Sequence, residues 1–85
     1  MSIVRVIELL DESRTAYERG DIETCDRLVN EATEIDAAAV LFITPRMAVG
    51  EIPRPSQFPD EWAEWVRRWE FRASLRGEKG SASDD

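Results

Sequence analysis

A Gly-Asp pair at positions 20–21 divides the N-terminal half of the chain into two segments of helical periodicity and leaves them one way to pack. In the first segment Ile3, Val6, Ile7, Leu10 and Tyr17 recur at three- and four-residue steps, while Glu8, Asp11, Glu12 and Glu18 fall mostly elsewhere. The spacing predicts a helix over about 2–19, with Ser2 as N-cap and Gly20 in the left-handed conformation that ends helices. Asp21 then caps a second helix with the apolar stripe Cys25, Leu28, Val29, Ala32 and Ile35, joined by Ala39 and Phe42 if it runs on to 43. So short a connection gives each helix only the other as a partner, and the pair is predicted to fold back as an antiparallel αα-hairpin.

Three continuations compete beyond Asp36. The first in order of expectation prolongs the second helix toward Thr44, where Pro45 disfavours further turns. The next has Asp36 cap a new short helix, and the last pairs 40–44 with 47–52 as a small β-hairpin around Pro45-Arg46. All four prolines lie between 45 and 59, so 44–58 is expected to be an irregular connection, of a length that is often functional or partner-bound. Within it, Ile52-Pro53-Arg54-Pro55 favours extended polyproline geometry. A third helix is predicted over 59–76: Pro59 suits its first turn, Asp60 and Glu61 complement its positive end, and Arg68, Arg72 and Arg76 its negative end. Residues 77–85 carry no apolar group larger than alanine and read as a flexible acidic tail. The expected fold is all-α, a single small domain over 1–76 in which a hairpin is crossed by a tryptophan-bearing third helix.

The segment 3–36 resembles one tetratricopeptide (TPR) unit. Ser13, Gly20-Asp21, Cys25, Ala32 and Ile35-Asp36 fall where that pattern has a small residue at the helix crossing, a Gly-Asp turn, a small residue opening the second helix, and then Ala, an aliphatic residue and Asp. The chain departs from the pattern at Ala37, where proline is usual, and at Leu9, where a larger residue is. The resemblance covers about 34 of 85 residues and occurs once, whereas about three units are needed to bury a continuous solenoid core. It implies protein–protein binding and no chemistry.

Composition narrows the function further. The chain carries 18 acids against 11 bases, a net charge of −7, and contains no histidine. Without histidine there is no Ser–His–Asp triad, Cys–His pair, HExxH motif or Glu-x-x-His di-iron site. Gly20, Gly50, Gly77 and Gly80 are isolated, so no glycine-rich phosphate loop exists. The single cysteine, Cys25, lies on an apolar stripe and suits packing better than nucleophilic chemistry, and one cysteine supports no internal disulfide. The expectation is a non-enzyme with no cofactor and no metal, in a reducing cytoplasmic compartment. The apolar run 3–10 is too short and too charged to span a membrane. Residues 1–36 hold ten acids and four bases, which argues against direct nucleic-acid binding.

The candidate site residues lie on the third helix. Trp62, Trp65 and Trp69 share one face, with Val66 and Ala73 beside them. The leading expectation is that they close the core against the hairpin; the alternative is a part-exposed recognition face. Phe71 and Leu75 sit on the opposite side, one turn apart and flanked by Arg67, Arg68 and Arg72, the make-up of an interface centre with a polar rim. They are expected to be covered either by the loop 44–58 or, preferably, by another chain. These features favour a small acidic accessory or regulatory protein that binds another protein or itself. Two alternatives are a structural subunit of a larger assembly, such as a virion or an enzyme complex, and an inhibitor whose acidic hairpin face (Glu8, Asp11, Glu12, Glu18, Glu23, Asp26, Glu31 and Glu34) mimics nucleic-acid phosphates. The more ordinary reading of that face is a solvated helix surface.

Overall fold

The structure is a computed structural model that describes the backbone of residues 3–80 and the side chains of 3–75. It is all-α: α1 (Ile3–Glu18), α2 (Ile22–Ala48) and α3 (Pro59–Gly80), with no strand among the described residues. The expected N-cap Ser2 and the tail segment 81–85 lie outside the described residues, and α3 continues four residues past the expected end of the helix.

The Gly-Asp turn forms as its chemistry requires. Gly20 takes φ 87°, its N–H donates to the Tyr17 carbonyl at 3.0 Å, and the Asp21 N–H reaches the Ala16 carbonyl at 2.9 Å. These are the paired bonds of a Schellman termination, and they need a residue that tolerates positive φ. Asp21 then caps α2 by accepting from the Thr24 N–H at 3.2 Å. Hydrogen bonds from Thr24, side chain first and backbone next, hold the Asp21 carboxyl below its ordinary value, with Arg19 adding a smaller contribution.

α2 departs from its leading expectation at Asp36. This residue is extended (φ −165°, ψ 97°) and breaks α2 into two arms, 22–35 and 37–48. Its carboxylate accepts from the Ala39 N–H at 3.1 Å and so caps the second arm. A straight helix would hold Cys25 and Met47 about 33 Å apart. Instead both line one cleft with Leu10 and Tyr17, so the second arm folds back over α1 and the first arm. The break also resets the helical phase. Ala39 and Ile43 point into the core, while Ile35 and Phe42, counted on a continuous stripe, are 42% and 48% exposed.

The second arm also runs through Pro45, where the sequence places the start of a loop. Proline inside a helix removes an N–H and crowds the preceding turn. Here nearby side chains supply bonds to backbone carbonyls: the Thr44 hydroxyl donates to Val40 at 2.7 Å, and an Arg46 guanidinium N–H to Phe42 at 2.7 Å. The arm ends at a second left-handed glycine, Gly50 (φ 84°), with the Glu51 N–H on the Arg46 carbonyl at 2.9 Å. The irregular connection is therefore 49–58 rather than 44–58.

α1 is covered on more than one side, and its buried arc is correspondingly wide. Val6, Ile7 and Leu9 are fully buried, and Leu10, Ser13 and Ala16 nearly so. Tyr17, expected on the stripe, is 60% exposed, and Leu9 takes part in the core in its place. Leu28, Ala32, Ala39, Ile43 and Ile52 complete that core. At about 1.5–3 kcal/mol for each fully buried large aliphatic side chain, Val6, Ile7, Leu9 and Ile43 are its main contributors.

Asp11 overturns its placement on a solvated acidic face: it is 3% exposed. One carboxylate oxygen accepts from Arg54 Nε at 2.7 Å and from the Ser56 hydroxyl at 3.0 Å, and the other accepts from the Ser56 N–H at 2.9 Å. Arg54 also donates to the Thr15 hydroxyl at 3.1 Å and reaches Glu18 at 3.4 Å. Every bond here is charge-assisted or made to a partner of the ion pair, so the proline-rich connection is fastened to α1 at a site nearly closed to water.

Candidate functional site

α3 leaves the connection with its N-terminal turn anchored by the Trp62 N–H on the Phe58 carbonyl at 2.8 Å. None of its side chains through residue 75 is buried. Trp62 and Trp65 rest against the edge of the hairpin core, so the expectation that the tryptophans close the core holds for those two as a partial cover, and Trp69 lies beyond that contact. The three indoles form a parallel stack along the helix, with ring centroids 5.5 Å apart between Trp62 and Trp65 and 5.7 Å between Trp65 and Trp69. The ring planes differ by 9° and 3°. Spacing on α3 sets this stack: steps of three and four residues put successive side chains one above the other.

Phe71 and Leu75 are 65% and 57% exposed. The connection 49–58 does not fold over them; Arg54 and Ser56 carry it to α1 instead. Of the three arginines assigned to their rim, Arg67 and Arg68 both pair with Glu64, Arg68 at 3.4 Å. Arg72 has no ion-pair partner among the described residues.

The structure adds a groove that the sequence does not announce, about 340 Å³ between the second arm of α2 and α3. Phe42, Ile52, Trp65 and Trp69 supply its apolar lining, and Arg46, Arg68 and Arg72 with Glu51 its charged lining. Arg46 lies over the Phe42 ring, its guanidinium carbon 3.7 Å from the centroid, and pairs with Glu51 at 3.9 Å. Phe42, Arg46 and Ile52 reach this place only because Asp36 turns the second arm back and Gly50 reverses the chain behind it. No periodicity in the sequence encodes either event.

Turning around α3 at about 100° per residue, Arg67 is followed by Phe71, Leu75, Arg68, Arg72, Trp65 and Trp69. The groove and the Phe71–Leu75 pair are thus adjoining parts of one basic and apolar surface. A second, mainly apolar cleft of about 260 Å³ opens between α1 and both arms of α2, where half-buried Cys25 lines it beside Val29, Val40 and Met47. The acidic residues Glu23, Asp26, Glu31 and Glu34 line a separate surface depression on the first arm. Among the described residues no helix is long and apolar enough to cross a membrane. Comparison with protein-family models, with curated proteins and with solved structures returned no match.

Proposed function

We propose that this is a small, acidic, non-catalytic protein that acts in the cytoplasm by binding another protein, and that α3 is its binding element. The observation that carries the reading is the run of large apolar side chains left in water on and beside α3. Phe71, Leu75 and Phe42 are about half exposed or more, next to a tryptophan stack of which no ring is buried. Monomeric proteins rarely leave so contiguous a set uncovered, and tryptophan and arginine are the residues that most often dominate binding energy. The resemblance to a TPR unit supports the same class of function, and the Asp36 that ends that pattern is where the chain turns into its second arm. Tyr17, Leu41 and Val49 are exposed as well, away from α3, but on α3 the exposed apolar residues adjoin tryptophans and arginines, which directs a partner there.

The test is paired, on one double variant, Phe71→Ser with Leu75→Ser. Thermal unfolding of the isolated chain should shift by less than about 1 kcal/mol in stability, as for surface substitutions. Association, read by sedimentation and by capture on the immobilised protein, should fall by far more, since interface anchors commonly cost about 2 kcal/mol or more each. A collapsed melt with association intact would place these two residues in the core and the binding surface elsewhere.

A further inference from the structure

We infer that the groove between the second arm of α2 and α3 receives an acidic segment of the partner, with one large apolar side chain seated on Phe42, Ile52, Trp65 and Trp69 and its neighbouring carboxylates held by Arg46, Arg68 and Arg72. This deepens the protein-binding reading and rests on it.

Three observations select that occupant. First, the volume of about 340 Å³ suits one or two side chains of an incoming segment rather than a folded domain. Secondly, three of the chain's ten arginines line this one groove in a protein of net charge −7, against a single lining carboxylate, Glu51. Guanidinium groups present planar forks of donors that match carboxylates. The pairs they now make, with Glu51 at 3.9 Å and Glu64 at 3.4 Å, are solvent-exposed and cheap to exchange, and Arg72 has none among the described residues. At physiological salt, charges more than about 8 Å away are largely screened, so the groove's own cations govern a short segment more than the acidic hairpin does. Thirdly, the stack at 5.5 and 5.7 Å takes both faces of Trp65 and one face each of Trp62 and Trp69. That leaves fewer ring faces for successive nucleobases, whereas an aliphatic or aromatic side chain can pack on the ring edges. A nucleic acid would also carry a charge on every residue against the net field of the chain.

The experiment selects binders to the immobilised full-length protein from a random dodecapeptide library, in parallel with an Arg68→Glu/Arg72→Glu variant whose melt is shown to match the parent. The expected result is enrichment of peptides with excess Asp and Glu around a Phe, Trp or Leu. The best of these should bind the charge-reversed variant at least about tenfold more weakly, with affinity falling as salt is raised. Peptides without acidic excess that still compete at Trp65 and Trp69 would overturn the acidic occupant and leave the protein-binding reading standing. Failure to enrich any peptide also overturns it. Binding of oligo(dT) in the same assay, in place of peptides, would sink both readings. Self-association by sedimentation that the charge reversal abolishes would make the occupant a second copy and likewise overturn the proposal of a separate partner.

Discussion

The hairpin with its returning arm and α3 are built from the same kind of sequence, amphipathic helix with tight ends, yet they end in different states. Val6, Ile7, Leu9, Ala32 and Ile43 are shut away completely, and even a charged residue, Asp11, is enclosed with its partner. α3 contributes no buried side chain through residue 75, although it carries all three tryptophans. The difference lies in what covers each helix. α1 has the first arm, the second arm and the connection around it, whereas among its described residues α3 meets the core through Trp62 and Trp65. Apolar content therefore does not locate the core of this molecule; the number of elements converging on a residue does.

The largest effect should come from the ion pair that fastens the connection. Asp11→Ala leaves the nearly buried Arg54 with only the half-exposed Glu18 as counter-charge and takes the acceptor from the Ser56 N–H. Removing one partner of a buried ion pair typically costs about 3–5 kcal/mol. That is comparable with the stability of a domain this small, so the cooperative melt should be lost. Replacing both partners, Asp11→Leu with Arg54→Met, removes the stranded charge and should recover most of the loss. If the single variant melts like the parent, the connection is not held where the structure puts it.

A second pair of variants compares the two regions directly. Ile43→Ala opens a cavity in the fully buried centre and should cost about 2–5 kcal/mol in urea unfolding. Trp69→Ala removes one stacked, partly buried ring, whose stacking is worth about 0.5–1.5 kcal/mol beyond the area it buries, and should cost less than Ile43→Ala. Equal costs would erase the distinction between core and displayed helix.

The smallest effect concerns the turn that starts the hairpin. Because the folded Asp21 carboxyl is held below its ordinary value, its contribution is fully present above the unfolded pKa of about 3.9. It is lost as pH falls through the lower folded value. Asp21→Asn should therefore melt with a shallower dependence on pH in the acid range than the parent, and indistinguishable acid limbs would show that the cap bond to Thr24 is absent in solution.

The hairpin was legible in the sequence because its signals are local: a three-to-four-residue apolar repeat, a glycine able to take positive φ, and an aspartate placed to cap. α3 was legible for the same reason, and so was the exposure of Phe71 and Leu75 on the side away from Trp62. What escaped depends on distant residues meeting. Asp11 and Arg54 are 43 positions apart, and nothing near Asp11 separates it from the solvated acids around it. Pro45 reads as a helix boundary, yet the packing of Ile43 and Met47 on the core carries the second arm across it. The groove depends on the Asp36 break, on that passage through Pro45 and on the Gly50 reversal, which is why Phe42, Arg46 and Ile52 could not be assigned to it from the sequence while Trp65, Trp69, Arg68 and Arg72 could be named.

Amide hydrogen exchange under native conditions tests most directly the claim that the hairpin and its returning arm hold the fold while α3 is displayed on it. Exchange free energies follow the opening that exposes each amide, from local fraying up to global unfolding. The amides of Ile7, Leu10, Leu28, Ala32 and Ile43 should exchange only through global unfolding, and those of Arg68 to Leu75 through a cheaper opening of α3 that leaves the hairpin intact. Protection of the α3 amides equal to that of Ile7 and Ile43 would contradict the account and make the tryptophan helix part of the core.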